Sequence, residues 1–293
     1  MKFLTILIVL LLNHYWRRDR HLAVDSWFVA WQRWLLNHRH RLPEWRALIP
    51  AMAVILPLLP LLLLIWLAQG VFFGLLTLGI HVLVVLYCFS RHNQNQLVEQ
   101  YLELWEARDY EAACQMVEPL VQESGEPTAG DYAKIHSQFM NYLQRTALRK
   151  LFAVLFFYFL LGPAGALAYC LLVAMFRDGR LLDDVDDFAL FERALATVEW
   201  VPVRILAFSF ALAGDFVGAF RALRNHFWQA PDLLANFSLL TAATDGAAGL
   251  DDVEATAQES RLRAAHQLKA LQDLLLRTQV VWVIVLSMLV FVV

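Results

Sequence analysis

The run LFAVLFFYFLLGPAGALAYCLLVAMF, from Leu151 to Phe176, is apolar throughout, yet Gly162, Pro163 and Gly165 interrupt it near its middle. A bilayer-spanning helix needs about 20 apolar residues, so the run is long enough to cross. Proline removes a backbone donor and glycine loosens the helix, which predicts two half-helices meeting inside the membrane. Broken helices of this kind turn free backbone groups toward ligands, and on that reading Gly162, Pro163 and Gly165 are candidate ligand-binding positions. On the other reading they form a kink sealed by close packing through small residues. A path that enters and returns on one side would suit the Arg177 and Arg180 that follow, but it shifts the parity of every later segment. The parity favours a crossing.

Working outward, 59% of the 293 residues are hydrophobic, against roughly 45–50% in an ordinary soluble domain, and the mean hydropathy is +0.51. The fold class predicted is an all-α, polytopic helical membrane protein with about six hydrophobic segments and intervening cytoplasmic helical stretches. The other segments are Phe3–Leu12, Ala47–Gln69, Val71–Ser90, Val201–Phe220 and Gln279–Val293. Only Gly70 separates the second from the third, so they form a tight antiparallel pair. Phe3–Leu12 is followed by NHYWRRDR and no small-residue cleavage site, the pattern of a retained anchor.

The organisation read from these blocks has five parts. Residues 1–90 hold the anchor, a Trp- and Arg-rich interfacial stretch and the tight pair. Residues 91–150 are a cytoplasmic helical region, with Leu97, Val98, Tyr101, Leu102 and Trp105 on one helical face. Residues 151–220 form the membrane core, 221–278 a second cytoplasmic helical region, and 279–293 a C-terminal transmembrane helix. Lys and Arg cluster at the ends of the polar stretches, as the positive-inside rule requires of cytoplasmic loops, so the chain is expected to cross its membrane several times.

The net charge of −3 supplies no basic field, and no nucleic-acid-binding motif occurs, so nucleic acid is excluded as a partner. The three cysteines have neither disulfide nor zinc spacing, no nucleophile elbow, P-loop or HExxH is present, and no cofactor is implied. LLDDVDDF offers Asp183, Asp184 and Asp187 in the Asp-Asp-x-x-Asp spacing that holds Mg²⁺ against a diphosphate, but it lacks a second acidic cluster and reads better as a solvated acidic turn. His38 and His40 lack a third metal ligand. His81, inside an apolar segment, is either a functional group or a histidine hydrogen-bonded between helices. EWVPVR, from Glu199 to Arg204, starts a helix at Pro202 and places Arg204 one turn into an apolar run. Its guanidinium either snorkels to the headgroups or turns inward to a carboxylate, phosphate or backbone carbonyls.

EWVPVRILAFSFALAG and LGPAGALAY together resemble the AmpE and CobD/CbiB family of membrane proteins. The resemblance covers most of the chain, with strong motifs confined to these two short segments. It implies a role in modulating β-lactamase induction for the AmpE branch and cobinamide synthesis for the CobD/CbiB branch. The acidic motifs of the enzyme branch are absent. Where that branch has Glu-Asn-Thr-Ser-Asp-Gly, this chain has Arg145, Thr146, Ala147, Leu148, Arg149 and Lys150. Its Asn-Thr-Leu-Asp-Ser aligns with Val173 to Arg177, and its Asp-Asp pair with Leu195 and Ala196. Both carboxylates of the first motif have become arginines, so the cation-binding chemistry is lost and the expectation is a non-enzyme.

The resemblance therefore implies an inner-membrane protein that modulates β-lactamase induction and the response to cell-wall-active antibiotics by binding rather than catalysis. Arg145, Arg149, Arg177 and Arg204 are the candidate groups for an anionic ligand, such as a small molecule or cell-wall fragment. The expected partners are the lipid bilayer and a membrane or cytoplasmic protein. The rival reading is a Mg²⁺-dependent enzyme or carrier acting on an anionic or isoprenoid-linked cell-wall intermediate.

Overall fold

A computed structural model describes residues 2–15, parts of 27–34, 49–68, 74–89, 94–123, 132–179, 185–249 and 257–292. The described residues are almost wholly helical and include no strand, as expected of an all-α membrane protein. In chain order the helices are α1 (Lys2–Tyr15), α2 (Ile49–Ala68), α3 (Leu75–Phe89), α4 (Gln94–Glu106), α5 (Tyr110–Glu123) and α6 (Tyr132–Ala147). A π-turn, Leu148–Phe152, then leads into α7 (Ala153–Gly179), followed by α8 (Val185–Ala213), α9 (Phe216–His226), α10 (Leu233–Ala248) and α11 (Ala257–Val292). By length and apolar composition three helical stretches suffice to cross a membrane: Lys134–Arg177, Phe191–Ala213 and Ala264–Leu289.

The first of these does not run straight. Gly162 has φ 73° and ψ −160°, a region essentially reserved for glycine. The rings of Phe157 and Tyr169 stack with centroids 5.1 Å apart, although a continuous helix would separate twelve residues by about 18 Å. The Arg149 guanidinium lies 5.3 Å from the Phe176 ring centroid, where a continuous helix would place the two residues about 40 Å apart. At Gly165 a Cβ would fall 2.7 Å from the Phe157 carbonyl oxygen and against Leu161. Leu151–Phe176 is therefore a helical hairpin that turns at Gly162 and returns to its starting level. The crossing expected of it is corrected: each arm is too short for a bilayer core of about 30 Å, and Arg177 comes back to the same end as Arg145 and Arg149.

Val201–Phe220, expected as one segment, is likewise divided. α8 ends at Ala213, and Asp215 starts α9 by accepting a hydrogen bond from the Val217 amide at 2.9 Å. The reversed α9 is held to α10 by backbone contact. A Cβ on Gly246 would sit 2.7 Å from the Gly218 carbonyl, so the two helices meet with no side chain between them.

Two cores result. The larger joins α1, α3, the π-turn, α7, α8, α9, α10 and the second half of α11. The smaller is built by α4, α5 and α6 with Ala264, Leu268 and Leu271 of α11. Residues 221–278, read in sequence as one polar region, divide between them: α10 is buried in the larger core, and α11 leaves the smaller core to enter it. α2 carries a broad face of exposed apolar side chains, among them Ile55, Leu59, Leu63, Trp66 and Leu67, as a lipid-facing helix does. Gly162→Ala meets no neighbouring atom, so its whole effect is backbone strain. We expect a loss of about 1–3 kcal/mol, read as earlier unfolding of the detergent-solubilised protein, whereas Ala164→Gly on the same hairpin should cost about 1 kcal/mol or less.

Candidate functional site

The hairpin returns Tyr169 and Phe176 to the level of the π-turn, and α8 brings Glu199 to the same place. Arg149 lies in the π-turn, whose wider winding aims this side chain away from the regular α-helical position. Its Nε donates to Glu199 Oε1 at 2.7 Å and its Nη2 donates to Oε2 at 3.3 Å. The Tyr169 hydroxyl donates to the same Oε1 at 2.9 Å. The Glu199 side chain is fully buried. Its carboxylate is thus held by two guanidinium donors and a phenol, which is what a charge in an apolar bundle requires.

Phe237 on α10 is the next layer. The Arg145 guanidinium lies 4.4 Å from its ring centroid and that of Arg149 lies 5.1 Å away. Two cations lie over one aromatic ring, an arrangement that gathers positive charge where the hairpin, α6 and α10 meet.

Asn236, the residue before Phe237, serves the third arginine. Its Oδ1 accepts from Arg204 Nη1 at 3.1 Å, and its Nδ2 donates to the Ala196 carbonyl at 2.9 Å. Arg204 also donates from Nε to the Phe227 carbonyl at 2.7 Å, from Nη2 to the Gln229 carbonyl at 3.0 Å and from Nη1 to the Trp200 carbonyl at 2.9 Å. The Trp200 ring lies 3.9 Å from the guanidinium, and its Nε1 donates to the Gln229 carbonyl. Arg204 thus turns inward and holds the carbonyls that α9 leaves unpaired at its end.

The candidate residues therefore sort into two places. Arg145, Arg149 and Arg204 gather around Asn236 and Phe237, with Arg177 one residue beyond the Phe176 ring that meets Arg149. Gly162, Pro163 and Gly165 form the hairpin tip, about 20 Å along the arm from Arg149, and shape the turn. Asp183 and Asp184 lie outside the described residues, and of Asp187 only its place in the first turn of α8 is described. Among the described residues no group of three His, Cys, Asp or Glu side chains is arranged to hold a metal. In the smaller core, burial and then Glu118 push the Cys114 thiol up to about 11, so it stays protonated and inert. His81 Nδ1 and the Tyr158 hydroxyl are 3.1 Å apart, the inter-helix hydrogen bond that was one of its two readings.

Sequence reasoning missed Glu199, Tyr169, Asn236 and Phe237. A signal for two of them was present. Tyr169 ends LGPAGALAY and Glu199 begins EWVPVR, so the hydrogen bond between them joins the two segments on which the family resemblance rests. A family model described as "Regulatory signalling modulator protein AmpE" matches residues 1–290. The chain belongs to the AmpE family. No curated protein and no solved structure matches it. The family's description makes the general role that of a regulatory signalling modulator in a membrane, and the arginine–glutamate–tyrosine cluster is the polar centre of this AmpE-family chain.

Breaking the pair should cost more than removing it. We expect Glu199→Leu alone to destabilise by about 3–5 kcal/mol, and Arg149→Met with Glu199→Leu to recover most of that loss in detergent unfolding measurements. Equal losses would show that the pair is not coupled. Arg204→Lys keeps the charge and loses the planar fork, and should cost about 1.5–3 kcal/mol through unpaired carbonyls at the end of α9. A lysine variant as stable as wild type would mean that charge alone matters there.

Proposed function

We propose that this protein modulates β-lactamase induction and the response to cell-wall-active antibiotics from the bacterial inner membrane, by binding an anionic ligand or protein partner rather than by catalysis. The observation that carries this reading is the pair of arginines, Arg145 and Arg149, stacked on Phe237 where α6 passes through the π-turn into the hairpin. Arginines at these positions replace the carboxylates of the enzyme branch. They favour carboxylate or phosphate recognition and give no group to hold a catalytic cation. Membership of a family of signalling modulators supports the same direction.

The location also suits regulation. α6, the π-turn and α7 form one continuous path from the smaller core to the larger, so an anion taken at Arg145 acts on both ends of that path. Arg177, back at the same end of the hairpin, adds a further positive charge to this region.

The test is deletion of the gene in its own host, followed by β-lactamase activity after challenge with a cell-wall-active drug. Complementation with the wild-type gene should restore the wild-type response, and Arg145→Gln should fail to restore it while reaching wild-type abundance in the membrane. Unchanged induction and unchanged resistance in the deletion strain would remove the regulatory assignment. Full rescue by Arg145→Gln would remove the anion site and leave the family role standing.

A further inference from the structure

We propose that the outer face of α9, with the loop that follows it, is a binding surface for an anionic phospholipid. At 100° per residue, Phe216, Phe220, Arg224, Val217 and Arg221 fall within one arc about 140° wide, and all five are exposed. The arc is ordered along the helix. Its first half is apolar, with Phe216 46% and Phe220 50% exposed, and its second half carries Arg221 and Arg224. Trp228, 82% exposed, follows one turn later.

This surface continues a lipid-facing one. Val201, Ile205, Phe208 and Leu212 make an exposed stripe along α8, one of the stretches able to cross a membrane. Phe208 meets Phe216 edge-on with centroids 6.5 Å apart, and Phe216 stacks on Phe220 at 5.7 Å. One row of phenyl rings therefore runs from α8 onto α9 and ends at two guanidinium groups. Neither Arg221 nor Arg224 forms an ion pair among the described residues. An apolar row capped by paired cations and a tryptophan matches the two parts of an anionic lipid, acyl chain below and phosphate above. α9 can present this face because Gly218 and Gly246 bring its other side onto the α10 backbone.

The experiment measures retained lipid by native mass spectrometry of the purified full chain, after exchange from equal amounts of phosphatidylglycerol and phosphatidylcholine. Wild type should retain phosphatidylglycerol preferentially. Arg221→Gln with Arg224→Gln should lower that preference by roughly 10- to 30-fold, as expected for two basic side chains at a lipid surface. Arg221→Lys with Arg224→Lys should keep it, and Lys134→Gln, on exposed α6 surface, should leave it unchanged. Matched unfolding temperatures and far-UV circular dichroism guard against misfolding of the variants. Equal retention of both lipids, or an undiminished preference in the double glutamine variant, overturns the proposal. Displacement of the lipid by inorganic phosphate, beyond that caused by chloride at equal ionic strength, overturns it in favour of a free-phosphate site. Dimer masses that carry no lipid and are lost in the double glutamine variant overturn it in favour of a second copy.

Discussion

The Glu199 carboxylate is the point on which three separate backbone segments depend. A carboxylate with no exposure inside an apolar bundle is unfavourable by several kcal/mol unless it is fully paired. Its partners come from the π-turn, through Arg149, and from the returning arm of the hairpin, through Tyr169. Tyr169 cannot be reached unless the hairpin turns at Gly162, because a straight helix would carry it far from the level of Arg149 and Glu199. The backbone reversal and the phenol–carboxylate hydrogen bond therefore require each other. The first supplies the geometry, and the second makes the returned geometry the lowest in energy.

The same logic extends outward from α8. Residues 199–204 carry Glu199 toward the hairpin and Arg204 toward α9 and α10, so one and a half helical turns bind opposite sides of the bundle. Asn236 and Phe237 repeat the pattern on α10, one residue facing Arg204 and the next facing Arg145 and Arg149. A connected set of polar side chains thus runs from the π-turn and α7 through α8 to α10, with apolar residues packed against it.

Much of the architecture was legible because apolar runs and their punctuation are local properties. The runs that became α2 and α3, the helical periodicity of α4 to α6 and the break at Gly162 are all visible in composition and spacing. The direction taken at the break was not, since Gly-Pro-x-Gly permits a kink or a reversal. The choice is made by contacts between Phe157 and Tyr169, twelve residues apart in sequence. Val201–Phe220 misled for a related reason: its apolar character continues through Gly214 and Asp215, and only the cap by Asp215 and the contact with Ala247 reveal a turn. α10 was hidden by composition. LLANFSLLTAATDGAA is too rich in small and polar residues to stand out as a membrane segment, yet small residues are what allow it to be enclosed.

Arg204 shows why residue type alone does not identify a ligand site. An arginine in an apolar run invites a functional reading, because an unpaired guanidinium there is costly. The local backbone answers that cost here. α9 ends near Arg204 with carbonyls at Phe227 and Gln229 that its own helix cannot satisfy, and a planar fork of five donors spans them together with Asn236 and the Trp200 carbonyl. Four hydrogen bonds from one side chain fix the guanidinium in place. Arg145 and Arg149 differ in kind, for both guanidinium groups lie over the Phe237 ring and that of Arg149 is committed to the Glu199 carboxylate. Arg204 closes the end of a helix, whereas Arg149 joins the π-turn to α8. The same residue type thus serves two structural ends, and only the groups around each guanidinium tell them apart.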